Sequence, residues 1–462
     1  MKRRNFIRYA GVAGIITATG NQTSGAVTLP TKNGFLREAG QELPVKGNYD
    51  VIVCGGGPAG VVAAIEAGRP GARTMLIEAN GALGGIWTTG LLTWILNYHF
   101  QPGILKEITE ELERRGARCP LEIEKRTFAF DPEAMKLLLD EMCLDAGVDI
   151  RFHTRVCNAV KENGRLSHIV TESKSGREAW SANMFVDATG EGDLAAQAGC
   201  SFDSGDPQNN GITQPFSLLA VVGGIHFEKI KDFTRWAGDE RQGSKRRLLK
   251  LIQDGGYDPS YQRPGLYPIS ENLYMMMANH QYEYSGIDAD DLTTATINAR
   301  KEIWKIINAI KKNGGPWENL RLVVTAEKIG VREGRRIHGL YTVSTKDLTE
   351  GKQHPDAIAN VRFHVDVHSV KKADDKSGKG YNRGIKSKPY TIPLRALIAK
   401  DIDGLLLAGR CISGDFIAHS SYRITGPVSV IGQAAGRAAA MSVRKNKLPR
   451  EMKFNEFQFN HI

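Results

Sequence analysis

The sequence predicts an α/β protein: a parallel sheet flanked by helices, with an α+β domain inserted into it. Three segments predict this. Residues 49–60, Tyr-Asp-Val-Ile-Val-Cys-Gly-Gly-Gly-Pro-Ala-Gly, read as a buried strand, a glycine turn and a helix start, and Glu78 closes the next strand. Phe185–Gly190, Phe-Val-Asp-Ala-Thr-Gly, is a second buried strand, ending in Thr-Gly. Gly404–Gly409 is a third, and a small-residue helix follows from Gly426 to Met441. Between about 203 and 395 the glycine turns stop, and long polar stretches, aromatic clusters and a helix near 290–311 replace them, which marks the insertion.

Each part of the first segment has its own physical task. Val51, Ile52 and Val53 form the strand, Gly55 permits the tight turn, Gly57 lets the backbone approach a pyrophosphate, and Gly60 lets the helix pack closely on the sheet. The helix start, with Pro58 and Ala59, offers unpaired N–H groups and a positive dipole end to phosphates. Glu78, followed by Ala79, can accept hydrogen bonds from a ribose. Together these parts describe a dinucleotide site. A nicotinamide dinucleotide needs this turn and this acid. It does not explain the second glycine turn at Gly84-Gly85, the Ala-Thr-Gly strand end at 188–190, or the late Gly409-Arg410 turn with its glycine-entered helix. An extended FAD explains all of them.

Elsewhere, residues 27–48 read as a linker without periodicity, and Leu91 to Leu96 as a buried apolar run. Helices are expected over 104–116 and 132–146, the second entered through Asp131-Pro132. A strand is expected from Asp149 to Val156, then an antiparallel meander from Ala159 to Phe185 turning at Asn163-Gly164 and Ser175-Gly176. Gly432, Ala435 and Gly436 would let the late helix approach a neighbour, and 378–388 reads as a mobile loop. The organisation is therefore 1–26 export signal, 27–48 linker, 49–202 and 396–445 nucleotide-binding domain, 203–395 inserted substrate domain, and 446–462 tail.

The chain has 462 residues and a net charge of +10, to which Lys2, Arg3, Arg4 and Arg8 contribute. The remaining excess is mild. It suits anionic substrates and, without a basic helix interleaved with aromatics, argues against nucleic acid as a partner. Arg3 and Arg4 form a twin-arginine pair ahead of a weakly apolar stretch and a small-residue cleavage site at Ser24-Gly25-Ala26, the pattern of an exported, periplasmic protein. That stretch is too short and polar to span a bilayer. Six scattered cysteines form no CxxC pair, which argues against iron–sulfur and structural zinc sites; Cys54 reads as a small buried apolar residue.

Val51–Gly60 with Glu78–Gly85, Val186–Gly199, Gly330–Leu348 and Tyr390–Ala440 together resemble the FAD-dependent oxidoreductase family. That family is related to the flavoprotein subunits of fumarate reductase and succinate dehydrogenase and to heterodisulfide-reductase-like proteins. The resemblance implies an FAD-binding Rossmann fold of the glutathione-reductase type with an inserted substrate domain. It implies Glu78 on the adenosine ribose, Gly84 and Gly85 along the ribityl–phosphate path, Val156 near adenine, and Thr189 and Gly190 near the ADP half. It places Gly409, Arg410 and the helix start at Gly426 and Pro427 at the isoalloxazine, with Asp415 a weaker candidate for a ribityl hydroxyl.

Flavin chemistry leaves the protein to orient the substrate and handle a proton. Two basic blocks are candidates: Arg332, Arg335, Arg336 and His338, and then Arg410, His419 and Arg423. The first is either an anion clamp or a salt-bridge network with Glu327 and Glu333. His419 is either catalytic or a polar loop residue. Alternation in His364-Val-Asp366-Val-His368 puts three polar groups on one face of a strand, and only three possible ligands there argue against a metal. The expected catalytic set is His419, Arg423, Arg410, His368 and Arg332. The expected activity is an FAD-dependent hydride transfer to or from a small organic substrate, with an unidentified electron acceptor. The alternatives are a fumarate-reductase-like reductase of an unsaturated acid and a non-catalytic electron-relay subunit.

Overall fold

The computed structural model describes residues 42–123, 127–371 and 383–459. The export signal, the linker up to residue 41 and positions 378–382 of the expected loop lie outside the described residues. The first strand begins earlier than the sequence suggested: β1 runs Val45–Cys54 and leads through the glycine turn into α1 (Pro58–Gly68) and then β2 (Thr74–Ile77). A small antiparallel pair, β3 (Trp94–Leu96) and β4 (Thr127–Ala129), brackets α2 (Ile104–Arg114). α3 (Pro132–Asp145) starts where expected because Asp131 caps it, its carboxylate accepting from the N–H groups of Glu133 and Ala134.

The single strand expected over 149–156 is two. β5 (Val148–Arg151) pairs parallel with β2, and β6 (Arg155–Glu162) starts a separate meander with β7 (Arg165–Ser173) and β8 (Gly176–Asp187). His153 breaks the run with a left-handed φ of 51°, a conformation that a continuing strand does not contain. The main sheet has the order β5-β2-β1-β8-β7-β6. β8 pairs parallel with β1 along its length; on its other edge residues 176–181 pair with β7 and residues 185–187 with the late strand Leu405–Leu407. The three glycine-rich strand ends of the sequence are thus adjacent, and all point their C-terminal ends the same way. The C-terminal helix, Thr425–Lys445, crosses α1 at very short range. A Cβ at Gly432 would lie 2.1 Å from the Ala59 carbonyl, and one at Gly436 2.1 Å from that of Ala63.

A second sheet is made, in spatial order, from strands at Gly265–Pro268, Leu273–Met277, Ala220–Gly223 and Arg321–Thr325. A helix at Gly243–Asp254 and a long one at Ala289–Lys311 accompany it. Its own apolar core draws on residues 216–331 together with Leu91, Trp94, Cys119 and Ala129. Residues from Ile337 to Ile412 contribute instead to the first core, alongside the main sheet.

Candidate functional site

A cavity of about 1470 Å³, its open mouth included, is lined by residues of both cores. Gly55, Gly57, Pro58, Ala59, Glu78 and Gly85 line it from the first segment, Thr189 and Gly190 from the end of β8, and Gly409 and Arg410 from the third strand. Ile424, Thr425 and Val428 come from the start of the C-terminal helix. Leu219, Met277, Ile329 and Arg332 come from the region of the second core. The three distant stretches of sequence therefore meet around one space.

Two features fit that space to a dinucleotide. A Cβ built on Gly57 meets nothing within 4 Å, so this backbone faces open volume. α1 begins at Gly57 with no side-chain cap on its first N–H groups, which leaves them for an anion. Gly55, by contrast, is needed for close contact: its φ is +101°, and a Cβ there would lie 2.4 Å from the Ala188 carbonyl. Glu78 is buried and already engaged, accepting from Gly56 N at 2.6 Å and from Asn80 N at 2.8 Å.

Several expected site residues do not line the cavity. Gly60 packs instead against the Gly55 carbonyl, which its Cβ would approach to 1.8 Å, and Gly84 N bonds Gly56 O at 2.7 Å. Ala79 is not among the lining residues, and Val156 pairs with Thr171 in the meander. Gly426 sits against the backbone of Leu96, its Cβ position 2.5 Å from that carbonyl, and Pro427 is buried next to it without reaching the cavity. Asp415 is an N-cap: its carboxylate accepts from Ala418 N at 2.7 Å and from Thr345 N and Oγ1 at 2.5 and 2.8 Å. His419 is wholly buried outside the lining, and burial with Arg336, Arg423 and Arg410 nearby holds its pKa well below the ordinary value.

The first basic block divides. Arg336 pairs with Glu333, and Arg335 with Asp193 at 2.9 Å, so both are structural. Arg332 alone of that block turns to the cavity, with Ser217 Oγ 3.1 Å and His280 Nε2 3.3 Å from its Nη2 and the Pro215 carbonyl on its Nη1. Arg410 joins Glu191 and the Val331 carbonyl, and so ties the first domain to the segment that carries Arg332.

Residues 362–370 are irregular rather than a strand, which defeats the one-face alternation: His364 is exposed, while Asp366 and His368 line the cavity. His368 Nε2 lies 3.5 Å from Asp366 Oδ2. Arg423 donates to the Asp366 carbonyl at 2.8 Å, with the carboxylate 3.6 Å away. Gln214 Oε1 accepts from both His368 N, at 3.0 Å, and Arg423 Nη2, at 3.3 Å. Burial and the charge of Arg332 push His368 down to about 4, so its ring is neutral at pH 7. Burial likewise lowers Arg423 to about 10, which still leaves it charged. Burial opposes the charge on Asp366, yet His368 and Arg423 hold its carboxyl well below the usual range. Among the described residues no three of His, Cys, Asp and Glu converge as metal ligands, and no helix is long and apolar enough to cross a membrane.

Gln214, Ser217, His280, Met277 and Lys328 complete this surroundings and carry no motif in the sequence. Of these, Lys328 alone carries a sequence signal that could find it, its place four residues before Arg332.

A family model described as FAD dependent oxidoreductase matches residues 50–460. The chain belongs to the FAD dependent oxidoreductase family. Among curated proteins it is similar to thiamine thiazole synthase of Aeropyrum pernix, 31% identical over 149 residues, covering 31% of this chain and 50% of that protein. It is also similar to dihydrolipoyl dehydrogenase of Trypanosoma brucei brucei, 55% identical over 43 residues, 9% of each chain. The matches thus span half or less of these relatives' length. Among solved structures, a geranylgeranyl bacteriochlorophyll reductase-like protein of Thermoplasma acidophilum aligns with TM-score 0.49 at 14% identity, over 89% of this chain and 82% of the other. The family's FAD-binding α/β Rossmann fold is the fold described above, with an inserted second sheet.

Proposed function

We propose that this family member binds FAD in the cavity and catalyses hydride transfer between the flavin and a carbon of a small organic substrate. The carrying observation is the convergence of three glycine-rich strand ends on one cavity whose remaining wall holds Arg332, Asp366, His368 and Arg423. Gly55–Ala59, Glu78, Gly85, Thr189, Gly190, Gly409 and Arg410 would hold the cofactor. Bound there, FAD supplies a two-electron acceptor or donor.

The chain's own residues supply the rest. His368, neutral at pH 7, can take a proton from a substrate hydroxyl, and Asp366 beside Nε2 stabilises the charge that results. Arg423, fixed by Asp366 and Gln214, places a positive charge beside the reacting group. Oxidation of a C–H next to a hydroxyl suits this set, carbohydrate-derived compounds included; so does reduction of an activated C=C in an acid, the fumarate-reductase-like reading. The twin-arginine pattern supports export, with FAD inserted before passage, and the glutathione-reductase type of subgroup rests on the same glycine motifs. The test is anaerobic mixing of the purified protein with polyols, sugars, hydroxy acids and, for the photoreduced form, unsaturated acids. A member of this panel should bleach or restore the yellow flavin band. A flavin band inert to the whole panel contradicts the reading.

A further inference from the structure

We infer that the substrate carries an apolar body, a ring or a hydrocarbon chain, beyond its reacting polar end, and that Leu219 and Met277 select it. This deepens the proposed function and rests on its placing the substrate in this cavity; it sets the sugar-like candidates aside. The cavity-facing side of the inserted sheet is divided along its length. Ser217 and Leu219 stand two apart on the extended run that enters the strand Ala220–Gly223, and both line the cavity. Leu218 between them is fully buried in the second core, so alternation puts 217 and 219 on one face. Ala220 lies opposite Met276 in the antiparallel register, which continued by one residue brings Leu219 beside Met277. Met277 ends its strand, is only partly buried and lines the cavity as well. Two cross-strand apolar side chains therefore face the open volume.

The polar cluster lies at the Ser217 end. Ser217 Oγ is 3.1 Å from Arg332 Nη2, the same nitrogen is 3.3 Å from His280 Nε2, and the His280 ring centroid is 5.0 Å from that of His368. Two residues of extended chain span roughly 6–7 Å, which sets the distance from this cluster to the Leu219–Met277 patch. Trp94 and Ile329 line the cavity too. The Trp94 indole N–H already donates to the Pro268 carbonyl at 3.2 Å, and the ring packs edge-on against Tyr267, centroids 4.9 Å apart. The backbone here is also engaged. The Leu219 carbonyl accepts from Ala326 N at 2.9 Å, and Ser217 exchanges both of its bonds with Gly330, at 3.1 and 2.8 Å. A hydroxyl laid against Leu219, Met277 and Trp94 would give up its water bonds and gain none from these side chains, whereas a methylene there leaves water favourably. The ligand class that fits is a hydroxy compound or unsaturated acid whose remaining carbons are apolar.

The experiment is titration calorimetry of the purified full chain, saturated with FAD, with two pairs of six-carbon compounds: 1-hexanol against sorbitol, and 2-hydroxyhexanoate against gluconate. Within each pair chain length and charge match, and only the hydroxylation of the body differs. Each methylene removed from water contributes about fourfold in affinity, so three of them should favour the apolar member at least about fiftyfold. Leu219→Asn and Met277→Gln should each cut that ratio several-fold. Met277→Gln, nearly equal in length and at a partly exposed position, keeps the test open should Leu219→Asn fail to fold. Equal affinity within the pairs, tighter binding of sorbitol and gluconate, or a ratio unchanged in both variants overturns the inference. An apolar preference in a protein whose flavin stays inert to every compound sinks the hydride-transfer reading and leaves this one standing. Flavin bleached by sorbitol or gluconate, without the preference, does the reverse.

Discussion

At Gly57 the protein offers space rather than contact, which separates folding from cofactor binding. Gly57→Val meets no protein atom within 4 Å of its new Cβ, and its φ of −71° and extended ψ suit any residue. The variant should fold with an unchanged melting temperature when flavin-free, and bind added FAD at least about a hundredfold more weakly, because the side chain occupies the pyrophosphate path. Normal FAD affinity in a flavin titration would remove Gly57 from the site. Arg423 has a different profile. Arg423→Ala should retain flavin but slow its reduction by substrate in stopped-flow, and should cost roughly 3 kcal/mol of stability by stranding Asp366. Arg423→Lys should recover part of the rate, since the bonds to Gln214 Oε1 and to the Asp366 carbonyl are both donated by the single nitrogen Nη2, a role one ammonium can take. Wild-type reduction kinetics in Arg423→Ala would contradict its role.

The contact of α1 with the C-terminal helix is the element on which the site's geometry depends. One helix starts at the turn holding Gly57, and the other starts beside Arg423. Gly432→Ala and Gly436→Ala would each drive a methyl into a backbone carbonyl. Each should cost roughly 1–3 kcal/mol, read as a lower denaturation midpoint, and the double variant should also lose flavin. Stability equal to the parent would show that the helices can separate freely. That the late helix approaches a neighbour closely was legible in the small residues at Gly432, Ala435 and Gly436; that the neighbour is α1 was not. The β1–turn–α1 unit was legible too, where strand pattern, glycines and acid agree. The break at His153 was not, since nothing in Phe-His-Thr specifies a left-handed φ. Nor was the irregular backbone at 362–370, where alternation of polar and apolar residues imitated a strand.

Across the whole molecule, the legible parts are those encoded by local pattern, and the illegible parts are those brought together by the second sheet. Gln214, Ser217 and His280 hold Arg423, His368 and Arg332 in place, yet their neighbours in sequence give no sign of it. Asp415 shows the opposite error: a residue next to the right turn is consumed by helix capping. The buried histidines have a collective effect. His280, His368, His354 and His419 all have lowered pKa values, chiefly through burial. Unfolded, each takes up a proton near pH 6.5; folded, each resists until lower pH. The unfolded state then binds more protons, so stability falls as pH drops below about 6.5. Asp187, raised to about 6 by burial, works the other way between its unfolded value and pH 6, and Glu66, Asp140 and Glu333, also raised by burial, act with it. Glu191, Asp206, Asp239, Asp347, Asp356 and Asp366, held low by their partners, contribute stability that is lost along with that of the histidines as pH falls. The melting temperature of the holoprotein should therefore decline from pH 7 to pH 5, and more gently in His419→Gln. A flat or rising profile would contradict this balance.

The proposed chemistry of this protein depends on the joint grip of three strand ends on one cofactor. The direct measurement is the amount of FAD released on denaturing the purified full chain, after incubation with excess FAD and gel filtration. Stoichiometric FAD, accompanied by a yellow native spectrum, is the predicted result. A colourless protein that takes up no FAD would contradict it.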